Sequence, residues 1–147
     1  MNDMLFETPS IEQLSCIIGS VAAPAFLLGA VAAFISVPIS RMNRVIDRSQ
    51  VLHGIADGDP GRSYLKEDIP RLKHRAALLN RSIFCATVSA IITALLIIVA
   101  FVSAMLHVAH EYRVAILFVA ALASFILSLV NLARESRIAF HDFDHHV

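Results

Sequence analysis

The residues in this chain equipped for chemistry are few, and the histidines come first. His107 and His110 stand one helical turn apart beside Glu111, while His141, Asp142, Asp144, His145 and His146 crowd the C-terminal tail. Imidazole and carboxylate groups so spaced suit Zn or Ni. The order His-x-x-His-Glu, however, matches none of the metalloprotease arrangements. A short polar turn and a solvated tail account for both groups without a metal, so no metal site is assigned.

The chain has two cysteines, Cys16 and Cys85. In the helical arrangement derived below they fall in opposite leaflets, on the order of 20 Å apart by helix rise, too far for a disulfide. Both are expected to be small buried packing residues. No Gly-x-Ser-x-Gly elbow, phosphate loop or dinucleotide fingerprint occurs. The segment "DGDPG" (57–61) resembles the start of a calcium loop but lacks the later acidic ligands. No catalytic residue, cofactor or metal is expected, and the chain is read as a non-enzyme.

The elements that would position any site are dictated by composition. Of the 147 residues, 57% are hydrophobic and 16% charged, against about 45–50% and about 25% in soluble domains. That shift points to lipid as the solvent. The net charge is zero, which gives no indication of nucleic acid as a partner. Three uncharged runs, 14–39, 82–106 and 114–133, each exceed or match the roughly 20 helical residues that cross a hydrocarbon core. Backbone groups in hydrocarbon must bond internally, so helices are predicted. Acids and no base precede the first run, the reverse of a secretory signal, so it is expected to be retained.

Basic residues then set an expected orientation. Nine of the twelve Lys and Arg fall in residues 41–81, and Arg134 and Arg137 follow the third run. The turn at 107–113 holds Arg113 alone, and the N-terminal tail has no base. Because bases near span ends are retained in the cytoplasm, the loop and the C-terminus are placed inside and the N-terminus outside. This makes the chain a multi-pass protein with anionic headgroups against its cytoplasmic arginines.

The first run ends on "RMNRVIDR" (41–48). If the helix continues past Pro38, Arg41, Val45, Arg48, Leu52 and Ile55 share one stripe. At the far end of the loop, Asp68 and Pro70 read as a helix start. Leu72, Ala76, Leu79 and Ile83 then line one face, with Arg71, His74 and Arg81 opposite. Residues 56–63, "ADGDPGRS", are turn material. The first two helices are therefore expected to extend into a cytoplasmic antiparallel hairpin over about residues 40–81, with Val45, Leu52 and Ile55 facing Leu72, Ala76 and Leu79. Asp47 is the only acid between Glu12 and Asp57. Its expected partners are Arg44 on its own helix, or Arg75 or Arg81 across the hairpin. Arg41, Arg44, Asp47, Arg48, Arg75 and Arg81 are thus the candidate interface or charge-pairing residues.

Pro24 in the first span, "RMNRVIDR" at its inner end, "RLKHRAALLNRSI" (71–83) and "NLARESRIA" (131–139) together resemble a bacterial family of small three-span inner-membrane proteins known only as a domain of unknown function. The resemblance implies architecture and location, over about residues 14–139. It carries no activity or catalytic residue.

Small residues recur at four-residue spacing: Ala25, Gly29 and Ala33; Ser82, Ala86, Ala90 and Ala94; Ala120, Ser124 and Ser128. Such faces permit close helix approach, and three helices can use only some of them internally. The runs contain no Asp, Glu, Lys or Arg, which weighs against a proton-coupled transporter. The expectation is an all-α integral membrane protein, a single membrane domain over residues 1–147. It would act as a non-enzymatic interaction or assembly subunit, as a homo-oligomer or within a larger membrane complex. An oligomeric channel lined by Ser and Thr hydroxyls is the alternative.

Overall fold

The structure, a computed structural model, describes residues 10–55, 63–106 and 111–144. The chain runs through α1 (Ile11–His53), a short 3-10 helix (Ser63–Asp68), α2 (Ile69–Met105) and α3 (Glu111–Asp144). All three long helices are long and apolar enough to cross a membrane, so the protein is all-α and of multi-pass membrane type. The turn residues 56–62 lie outside the described residues.

Local chemistry sets the helix ends. Asp68 occupies the N-cap of α2 with Pro70 in the first turn, where a missing N–H forfeits no helical bond. The Asp68 side chain makes no capping bond; it turns instead toward Arg48, 3.8 Å away. At the end of α1, Gly54 N–H donates to the Gln50 carbonyl and Ile55 N–H to the Leu52 carbonyl, which satisfies carbonyls that a helix end leaves open. At the end of α2, Leu106 N–H bonds the Val102 carbonyl.

At 43 residues, α1 is about 65 Å long at 1.5 Å per residue, roughly twice the hydrocarbon thickness. It passes through Pro24 and Pro38 without ending. Each proline removes one helical bond, and both are buried, so packing against neighbouring helices holds the helix through them.

α2 is the centre of the fold. It packs along both α1 and α3, whereas α1 and α3 meet only sparsely, in part through an edge-to-face contact of Phe34 and Phe125 with ring centroids 5.4 Å apart. The buried positions recur every seventh residue. On α1 they include Pro24, Val31, Pro38, Val45 and Leu52, and on α3 Ala121, Ser128 and Glu135. α2 carries two such rows, Leu72, Leu79, Ala86 and Thr93, and three residues further on Ser82, Ser89 and Leu96. A seven-residue repeat keeps one seam aligned when helices wind left-handedly around each other. Two rows on α2 give it one seam for each neighbour.

The chemistry of the first row changes along its length. Val45, Leu52, Leu72 and Leu79 form one buried cluster, joined by the partly buried Met42, Ile55, Leu65, Ile69, Ala76 and Leu132. This is the expected hairpin seam. Toward the middle of the apolar run the same row continues as Ala86 and Thr93. Where water surrounds the hairpin, burying leucine stabilises it. Within hydrocarbon, lipid is as apolar as leucine, and small residues and hydroxyls hold helices together instead.

Candidate functional site

Where the apolar runs end, three helices converge on one carboxylate. Arg75 of α2 donates from Nε and Nη2 to Glu135 Oε1 at 3.0 and 2.8 Å. Arg41 of α1 donates from Nη1 to Glu135 Oε2 at 2.9 Å and to Ser136 Oγ at 2.8 Å. The Glu135 side chain is fully buried, while Arg75 is 22% and Arg41 39% exposed. Both carboxylate oxygens are therefore held by charge-assisted bonds, the stronger class.

The seven-residue rows explain the convergence. Ser82 and Ser128 lie one repeat above Arg75 and Glu135, and they bond reciprocally. Ser82 Oγ donates to the Ser128 carbonyl at 2.9 Å and Ser128 Oγ to the Ser82 carbonyl at 2.6 Å. One repeat further, Ser89 Oγ donates to the Ala121 carbonyl at 2.8 Å. Successive layers of the α2–α3 seam are thus guanidinium–carboxylate, hydroxyl–carbonyl and hydroxyl–carbonyl. Reaching Glu135 also carries Arg41 across to α3, and this ties together the two helices that otherwise meet least.

Electrostatics separate this cluster from the other charge pair at the same end. Arg48 and Asp68 are 3.8 Å apart with side chains 63% and 31% exposed, a class of pair that contributes about 0–1 kcal/mol. Removing one partner from a buried pair instead leaves an uncompensated charge and costs about 3–5 kcal/mol.

Of the candidates named from sequence, the structure brings Arg41 and Arg75 together. Asp47 is exposed and makes no ion pair among the described residues; the cross-helix partner of Arg75 is Glu135. Arg44 and Arg81 are exposed, and Arg48 faces Asp68 rather than the Val45–Leu52 seam. Glu135 escapes sequence reasoning because it follows the third apolar run between two arginines, where it resembles a solvated local charge. The signal was present in the repeat: Glu135 lies seven residues after Ser128, and Arg75 seven before Ser82.

Cys16 is exposed, not buried as its size suggests, and Cys85 is half-buried; both thiols are free. Among the described residues no three His, Cys, Asp or Glu side chains are grouped to hold a metal. His107, His110, His145 and His146 lie outside the described residues, and so do the side chains of Glu111, His141, Asp142 and Asp144.

The small-residue faces have different fates. On α2, Ser82 and Ala86 are buried and Ala90 and Ala94 partly so; on α3, Ser128 is buried and Ala120 and Ser124 partly so. On α1, Ala25, Gly29 and Ala33 are all exposed, and a Cβ added at Gly29 would meet nothing within 4 Å. A family model with the description "Protein of unknown function (DUF2721)" matches residues 21–145, a range that contains the whole charge cluster and the two hydroxyl layers. No curated protein and no solved structure matches the chain.

Proposed function

The chain belongs to this family, DUF2721, whose function is unknown, and from its own residues we propose that it is a non-enzymatic interaction or assembly subunit of a bacterial inner membrane. In this reading the hairpin and the C-terminus face the cytoplasm, following the bias of Lys and Arg. The observation that carries the proposal is the uncovered α1 face of Ala25, Gly29 and Ala33. Small residues at this spacing let a second helix approach closely enough for backbone packing, and α2 and α3 leave the face open. The occupant is a membrane helix, from another copy of the chain or from a different subunit.

A pore lined by hydroxyls is less well supported. Ser82, Ser89 and Ser128 are fully buried and bonded across the α2–α3 seam, and Thr93 is buried and bonded to its own helix at the Ser89 carbonyl. Those hydroxyls already have partners within one protomer.

The test is mild solubilisation of native membranes followed by measurement of complex size, comparing wild type with Gly29→Leu. The expected result is a wild-type complex larger than one protomer that Gly29→Leu reduces to the single chain. A single-chain size for wild type would contradict the proposal.

A further inference from the structure

We propose that Arg41 is a phosphate-binding residue, taking one phosphate group on the side-on edge of its guanidinium. Both hydrogens of Nη1 are engaged, one by Glu135 Oε2 and one by Ser136 Oγ. The other edge, formed by Nε–H and Nη2–H, carries no bond among the described residues, and the side chain is 39% exposed. That edge is the planar two-donor fork that matches a phosphate or carboxylate in bidentate fashion. Arg75 applies the same Nε and Nη2 edge to Glu135 Oε1, so the fork of Arg41 is the one without a partner among the described residues.

Three further features favour an anion there. The cluster sets two guanidinium groups against one carboxylate, leaving one positive charge in excess. Arg41 is the first charge after the uncharged stretch 13–40, which is where an apolar span is expected to meet headgroups. Finally, its guanidinium is held in place by a fully buried acceptor, so a ligand need not pay to order a flexible side chain. Arg44 and Arg81 are exposed with no comparable anchor among the described residues. Phosphate at this site comes either from an anionic phospholipid headgroup or from free inorganic phosphate.

The experiment titrates the full chain in neutral detergent with phosphatidylglycerol, with phosphatidylcholine and with inorganic phosphate, following bound adducts by native mass spectrometry and melting temperature. Phosphatidylglycerol is expected to bind more tightly than phosphatidylcholine. Arg41→Lys keeps the charge but lacks the fork, and should weaken that binding about tenfold, while Arg44→Gln changes it less than about twofold. The melting temperature of each variant without added lipid or phosphate separates loss of folding from loss of binding. If inorganic phosphate alone shows this pattern, the source is the free ion; if only the lipid does, it is the headgroup. The proposal is overturned if wild type prefers neither anion, if Arg41→Lys binds as wild type does, or if Arg44→Gln loses as much as Arg41→Lys.

Discussion

Arg75 and Glu135, separated by 60 residues in sequence, meet through two bonds to a single carboxylate oxygen, Nε at 3.0 Å and Nη2 at 2.8 Å. The pair fixes the register of α2 against α3, because a shift of one residue would carry the guanidinium off the seam and leave a fully buried carboxylate without its principal partner. Arg41 completes the enclosure from α1.

Substitution of Glu135 by Ala is expected to destabilise the protein by about 3–5 kcal/mol, since two arginines then lose their shared counter-charge. In a double-mutant cycle with Arg75→Ala, measured by reversible unfolding in detergent micelles, the two losses should fall well short of additive. Additive losses would mean that the pair does not couple the helices.

Asp47→Ala should change stability by less than about 0.5 kcal/mol, the usual range for an exposed side chain away from any special feature. The melting temperature of this single variant checks it. A loss comparable to that of Glu135→Ala would show that Asp47 has a partner in the folded protein.

The difference between these two acids shows what could be read from sequence. The three apolar runs and the hairpin seam of Val45, Leu52, Leu72 and Leu79 were legible, because hydropathy and helical periodicity depend on residues close together in the chain. The identity of the buried acid was not, since it depends on which face of α3 meets α2. Asp47 stands alone among bases and attracts attention; Glu135 lies between Arg134 and Arg137 and looks locally compensated. Only the seven-residue rows, Arg75–Ser82–Ser89 against Ala121–Ser128–Glu135, link the partners. Likewise the burial expected of Cys16 failed, because residue size says nothing of which face of a helix meets a neighbour.

Ser82 and Ser128 should behave as a unit. Either Ser→Ala substitution is expected to cost about 0.6 kcal/mol, the mean for interhelical bonds in a membrane protein, with about 1.7 as a ceiling. The double substitution should cost less than the sum, because the two hydroxyl oxygens also lie 3.0 Å apart, a contact that either single substitution removes, and removing both hydroxyls leaves two small packed methyl groups. Unfolding in micelles measures all three variants, and strict additivity would contradict a shared contact.

The proposed orientation predicts opposite behaviour for the two ends of α3. A reporter fused after Val147 should be active only if it functions in the cytoplasm, and one inserted beside His110 only if it functions outside. The Lys and Arg imbalance on which this rests is a statement about retention of bases. Activity of an externally functioning reporter at Val147 would reverse the topology.

The central claim is that a three-helix unit locked at Glu135 leaves the Ala25–Gly29–Ala33 face of α1 open for another membrane helix. Site-specific photo-cross-linking in native membranes tests it most directly, with the photoreactive residue at position 29 and, for comparison, at the exposed position 87 of α2. The expected result is a discrete protein adduct of defined mass from position 29, with position 87 giving mainly lipid adducts. Lipid adducts alone from position 29, at the same yield as from position 87, would contradict the claim.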